Sequence, residues 1–242
     1  MIRWQLSDHI AHLTLDRGGA RNAIPTAAWE ALGTATSEIA ASGARAVILR
    51  SEMPGIFSAG ADLAEFRMLV DDPALRTRFR LAMQAGIEGV AALPMPVIAA
   101  VDGGCFGAGV ALAIACDIVI AGDPAAFATT PAKLGLSYPA SDVARLKARI
   151  GAGQAARMLF SGAPVDAQSA LRIGLAQQRA DRAGPAAERL AGAIAANAPD
   201  AVLALKAVLR DPAAPGHDAA FEAQFGSDSF ATRLAAFLDG KR

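Results

Sequence analysis

Two small-residue loops offer chemistry without reactive side chains: FSAGADL at residues 57–63 and GGCFGAGVALA at 103–113, each following a β-branched apolar stretch. A glycine-rich turn that opens a helix presents backbone N–H groups and the positive end of the helix dipole, which favour an anion. Two nucleotide-binding readings of the second loop fail on spacing. A dinucleotide fingerprint needs glycines at i, i+2 and i+5, and no frame of residues 102–110 supplies them; a Walker loop needs Gly-Lys before Ser or Thr, and the loop has no lysine. An oxyanion fits better, because small residues let a carbonyl approach while the helix N-terminus stabilises the charge developing on its oxygen. Such a hole needs a second donor, and FSAGADL is the obvious source.

Side-chain chemistry near these loops is scarce. Cys105 lies in the second loop, but a thiol nucleophile needs an adjacent base, and the three histidines, His9, His12 and His217, are far from it in sequence. A hydrolase built on Cys105 would be sensitive to alkylation; the plainer reading of Cys105 and Cys116 is that both pack as small residues. Two cysteines with three histidines neither form a disulfide framework nor fill a zinc site, so no metal is expected.

The elements that position the loops can be read from periodicity. IRWQLSDHIAHLTLDR alternates around a polar Ser-Asp pair, as a β-hairpin does. A helix is expected from Pro25, with Trp29, Leu32 and Ile39 on one face and Gly43 as its stop, followed by the buried strand AVILRS. Asp72 and Pro73 open a helix carrying Leu75, Phe79, Met83 and Val90; strand PVIAAV, helix VALAIAC and strand DIVIAG follow. Strand, loop, helix and strand thus recur, which predicts an α/β fold with mostly parallel strands. Spacing leaves open whether this is a layered sandwich or a superhelical stack. Beyond residue 140 the segments have helical period, Asp166 caps AQSALRIG, and Ser141 or Asp142 directly before VARLKARI has the look of an N-cap. We divide the chain into an α/β core over 1–182 and a helical C-terminal subdomain over 183–242.

Composition limits the partners. Basic and acidic residues number 23 each, with no basic block, so the footprint of a nucleic-acid binder is missing. No apolar run has the length of a signal or a membrane span, which predicts a soluble, cytoplasmic protein without a membrane partner.

The blocks DRGGARNAI, FSAGADL, PVIAAVDGGCFGAGVALAIACDIVIA, TTPAKLGLSYP and MLFSGAPVDAQSALRIGLAQ, in this order, resemble the crotonase superfamily, the enoyl-CoA hydratase/isomerase fold, over nearly the whole chain. The resemblance implies a crotonase-like ββα superhelical core, a C-terminal subdomain that trimerises, and a homotrimer or a dimer of trimers. It implies an acyl-CoA substrate, with coenzyme A as part of the thioester and no separate cofactor. By position, the N–H groups of Ala61 and Ala108 would hold the thioester oxygen and stabilise an enolate. The backbone of Ala61, Asp62, Leu63 and Ala64 would face the adenine end of coenzyme A, and Arg21 its phosphates. Arg21 has a second reading, as a solvated loop charge. Phe221, Phe225 and Phe237 would lie at a subunit interface and help to cover coenzyme A, or else belong to the core.

Hydratases of this family use two glutamates to add and remove the elements of water, which is general acid–base work. Here the first place is Ala111 and the second Pro131. Isomerisation or decarboxylation is therefore expected ahead of hydration, the alternatives being a silent acyl-CoA binder or a weak enoyl-CoA hydratase. Tyr138, the only tyrosine, lies in a block resembling that of acyl-CoA decarboxylases of the family, where a tyrosine takes part in catalysis. Its other reading is a ring packed in a turn with its hydroxyl on water. Asp142 lies where some relatives offer a carboxylate, and Glu65 and Arg67 either reach the acyl pocket or are surface charges.

Overall fold

The computed structural model describes residues 1–240. The hairpin is β1 (Ile2–Ser7) and β2 (Ile10–Leu15), joined by a two-residue turn in which Asp8 and His9 have φ of 49° and 63°. Two successive positive φ values match the twist of the flanking strands. The chain continues through β3 (Ala23–Ile24), α1 (Thr26–Ala40), β4 (Ala46–Ser51), β5 (Ile56–Ser58), β6 (Gly60–Ala61), α2 (Leu63–Leu69) and α3 (Pro73–Ala92). Next come β7 (Val97–Val101), β8 (Gly104–Phe106), α4 (Ala108–Ala115), β9 (Ile118–Gly122), β10 (Ala126–Ala128) and α5 (Ala140–Ser161). The last elements are β11 (Val165–Asp166), α6 (Ala167–Arg172), β12 (Gln178–Ala180), α7 (Ala183–Ala195), α8 (Pro199–Arg210), α9 (His217–Gln224) and α10 (Asp228–Asp239).

Among the described residues, one sheet has six strands in the order β1-β2-β4-β7-β9-β12, parallel except for the opening hairpin. A second sheet runs β11-β10-β8-β5, and β3 pairs with β6. Each pass of the chain leaves one strand in the large sheet and a short one in the second: β4 then β5, β7 then β8, β9 then β10. This resolves the two architectures left open by spacing in favour of the superhelical ββα stack. The apolar runs AVILRS and PVIAAV are explained by burial on both faces. Val47, Leu49, Val97, Ala99 and Val101 point into a core shared with α1, α3 and α4, whereas the intervening Ala46, Ile48, Ile98 and Ala100 meet α7.

The helical segment expected over 183–242 does not begin with a change in packing. Ala183, Ala186, Ala187, Ala191 and Ala195 lay α7 flat on the large sheet, and Asp102 accepts hydrogen bonds from the Ala183 and Gly184 N–H groups at its start. Small side chains let this helix approach closely, so α7 belongs to the core and the departure comes with α8. There, Lys206 is buried and donates to the Met95 carbonyl (2.7 Å) and the Asp117 carboxylate (2.6 Å), fixing α8 to the rim of the sheet. Leu205, Leu209, Phe221, Phe225 and Phe237 are exposed, so the reading of these phenylalanines as core fails within the chain. No single helix among the described residues is long and apolar enough to cross a membrane.

Candidate active site

The two small-residue loops meet in backbone contact. Gly60 has a φ of +94°, and a Cβ placed on it would stand 2.7 Å from the Phe106 carbonyl oxygen and 3.1 Å from the Ala108 nitrogen. Only glycine accepts both the conformation and the approach. The Gly60 N–H is bonded to Ser58 Oγ (3.0 Å) and the Asp62 N–H to the Ile24 carbonyl (3.1 Å). Since successive amides of an extended strand point to opposite sides, the Ala61 N–H between them is directed away from β3. Ala108 is the first residue of α4, and its N–H has no acceptor within the helix.

Ala61 and Ala108 border a cavity of about 360 Å³ whose walls include Leu63, Phe66, Phe79, Met83, Leu134, Tyr138 and Asp142. Phe79 and Met83 read from sequence as the core face of a helix; in the structure they also line this cavity. Ala111 is buried inside α4 and Pro131 lines the cavity, so neither hydratase place carries a carboxyl group.

Tyr138 donates its hydroxyl hydrogen to the Gly107 carbonyl at 2.8 Å. Gly107 immediately precedes Ala108, so the phenol braces the turn that aims the Ala108 N–H. The hydroxyl proton is thus given to backbone, where the packed-turn reading has it on solvent. Burial, with the Asp142 charge adding to it, pushes the phenol well above its ordinary range against the opposing pull of the Ala111 N–H.

Asp142 corrects the capping expectation. The residue before α5 is Pro139, which makes no side-chain cap, and Asp142 lies in the first turn with its own N–H bonded to the Pro139 carbonyl. Starting the helix at Ala140 turns this aspartate inward, where it is 3% exposed. Its carboxylate accepts from Arg145 Nη1 (3.2 Å), and Arg145 also donates from Nη2 to Glu88 (2.7 Å). Burial raises the carboxyl from 3.8 to about 6; Arg145 opposes this and Glu88 assists it. A carboxyl so placed exchanges protons near neutral pH, as a general base must.

The remaining candidates divide. Asp62 caps α2, accepting from the Ala64 N–H (3.0 Å), and pairs with Arg17 (2.6 Å). Burial would raise its carboxyl, but the bonds from Arg17 and Ala64 outweigh burial and hold it below its ordinary value. The Ala64 N–H is therefore spent inside the protein, leaving the exposed Leu63 at the cavity edge. Arg21 is exposed in a left-handed turn (φ 52°), and its carbonyl accepts the Ala59 N–H, which sets it beside the same loop. Phe237, exposed on α10, is not on the cavity wall. Glu65 accepts from the N–H and hydroxyl of Thr26 (2.8 Å each), binding α2 to the start of α1, and Arg67 is exposed. Both cysteines are buried; burial pushes the Cys105 thiol well up and the Cys116 thiol to about 12, where neither is a nucleophile. Sequence reading overlooked two determinants: Gly60, signalled only by its place between two small residues, and Arg17, hidden in an apparent turn.

The family model described as enoyl-CoA hydratase/isomerase matches residues 5–231. The chain is 37% identical over 199 residues to YngF of Bacillus subtilis, named for an enoyl-CoA hydratase/isomerase, covering 81% of this chain and 76% of that one. It is 36% identical over 253 residues to the probable enoyl-CoA hydratase EchA14 of Mycobacterium tuberculosis, covering 94% and 93%. The crystal structure of an enoyl-CoA hydratase/isomerase family protein from Hyphomonas neptunium superposes with a TM-score of 0.93 at 32% identity, covering 99% of this chain and 95% of that one. With the ββα stack and the paired loops already described, these likenesses show that the chain belongs to the enoyl-CoA hydratase/isomerase family, the crotonase superfamily, whose members act on acyl-CoA.

Proposed function

We propose that this protein isomerises an unsaturated acyl-CoA, moving one proton between two carbons of the acyl group. The thioester oxygen sits between the Ala61 and Ala108 N–H groups, and Asp142 carries the proton. The observation behind this reading is Asp142, the single buried carboxyl on the cavity wall among the described residues, raised to about 6, beside two loops whose amides suit an oxyanion. A 3-enoyl thioester loses its C2 proton to the Asp142 carboxylate, and the electron pair moves onto the thioester oxygen as a dienolate. The same carboxyl returns the proton to C4, so the double bond shifts from C3–C4 to C2–C3 and one group serves both steps. Hydration would need a second acid–base group, for which Ala111 and Pro131 offer nothing. Tyr138 is a positioning residue in this scheme, because its proton is committed to the Gly107 carbonyl.

Coenzyme A enters as part of the substrate, past the β6–α2 turn with Leu63 and Ala64, and Arg21 on the neighbouring turn meets its phosphates. The exposed apolar faces of α8, α9 and α10, Phe237 included, are assigned to contacts between copies in a homotrimer or a dimer of trimers.

The test is conversion of 3-hexenoyl-CoA to 2-hexenoyl-CoA, followed by absorbance of the conjugated thioester, together with deuterium uptake at C2 and C4. Conversion with deuterium exchange is expected, with crotonyl-CoA hydration absent or marginal. Robust hydration would overturn the choice of reaction, and binding without either conversion or deuterium uptake would make the protein a silent acyl-CoA binder.

A further inference from the structure

Helix α3 carries Arg76, Arg78 and Arg80, and two of them are already committed. Arg76 donates to the carbonyls of Leu69 and Val70 at the end of α2, and Arg78 to both carboxylate oxygens of Glu30 (2.9 and 3.1 Å). Arg80 has no carboxylate in ion-pair reach among the described residues; its side chain touches only the Gln84 amide oxygen, at 3.4 Å. Among the described residues it is also the one basic side chain on the cavity wall.

A second chamber of about 270 Å³ adjoins the first, sharing Arg80, Met83, Pro139 and Asp142 with it and adding Gln84 and Ser141. Ala61 and Ala108 border the first chamber only, so a thioester held by them would send its acyl chain toward the second. This second recess is open to solvent, with Arg80 and Gln84 exposed and Ser141 half-buried, and the guanidinium, amide and hydroxyl along it match a carboxylate in charge and in hydrogen-bond donors. Asp142, the chamber's one acidic residue among those described, is already paired with Arg145 at 3.2 Å. The charge of Arg80 is therefore left for a ligand.

We propose that the acyl group taken by this site ends in a carboxylate, which Arg80 binds with help from Gln84 and Ser141. This rests on the acyl-CoA reading above and names its substrate class: a short unsaturated acyl thioester with an acid at the far end. Charged hydrogen bonds of this kind correspond to about tenfold or more in affinity.

Glutaryl-CoA and pentanoyl-CoA have acyl chains of equal length and differ in the terminal carboxylate, so calorimetric binding of the two isolates the interaction from turnover. Glutaryl-CoA is expected to bind about tenfold or more tightly. Arg80→Met should bring it down to the affinity of pentanoyl-CoA, and Arg80→Lys should restore part of the difference. Equal affinities in the parent protein would overturn the proposal while leaving the acyl-CoA reading intact. So would an Arg80→Met variant that weakens pentanoyl-CoA and free coenzyme A as much as glutaryl-CoA, because Arg80 would then hold the phosphates of the carrier. If neither thioester binds, the acyl-CoA reading falls and takes the proposal with it.

Discussion

Asp62 at the β6–α2 turn and Asp142 in the first turn of α5 are both buried, 8% and 3% exposed, yet their carboxyl groups move in opposite directions. Asp62 takes a close bond from Arg17 and one from the Ala64 N–H, while Asp142 has a single longer bond from Arg145. Burial pushes both upward, so the number and closeness of the donors decides the outcome. A carboxylate with its lone pairs occupied holds structure together; one left short of partners is free to exchange a proton.

The sharpest test of this contrast is replacement of each aspartate. Asp142→Asn should lower isomerase turnover by roughly 10²–10⁴-fold while acyl-CoA still raises the melting temperature. A fall of less than tenfold would place the acid–base work elsewhere. Asp62→Ala should act on stability, costing about 1–2 kcal/mol in urea unfolding through the lost helix cap and a partly screened ion pair. Tyr138→Phe removes one hydrogen bond under Ala108 and should reduce kcat about three- to tenfold without moving the pH profile. A shifted profile would mean that the phenol takes a direct part in proton transfer.

The smallest effects lie in pH dependence. The base form of Asp142 accumulates as pH rises through about 6, so turnover should rise over that range and then level. Arg145→Met, which removes the group opposing the shift, should move the midpoint higher. For stability the signs differ. Asp62, lowered by its partners, stabilises the fold at neutral pH and loses that contribution as pH falls through its depressed value, below the ordinary 3.8. Asp142, raised by burial, weighs against the fold once ionised, a cost absent below 3.8 and full above about 6. Asp142→Asn should therefore gain stability relative to the parent between pH 4 and pH 7, and an unchanged difference would contradict the raised value.

How much of this was legible in the sequence depended on whether the signal was local. The hairpin, the caps Asp72 and Asp166 and the parallel strands follow from short-range rules, and all are present. The role of Asp142 was ambiguous because Ser-Asp before an apolar run also describes a cap, and only the start of α5 at Ala140 turns it inward. The packing of α7 was hidden for a different reason: a helix presenting alanines can lie flat on a sheet, and composition does not reveal which surface it meets. The phenylalanines of α9 and α10 had the spacing of a core face, and nothing local tells a core face within one chain from an exposed apolar surface.

The close approach at Gly60 bears on how this site can be altered. The amides of Ala61 and Ala108 are main chain, so any substitution at those two positions other than proline, which has no N–H, leaves both donors present, and changes elsewhere act on them by displacement. A methyl group at Gly60, 2.7 Å from a carbonyl oxygen, is such a displacement. If the site works as proposed, its polarising half is lost only through proline or through displacement such as that at Gly60, whereas its proton-carrying half rests on one replaceable side chain. A change at residue 142, or a carboxyl restored at 111, could therefore redirect the reaction without rebuilding the scaffold.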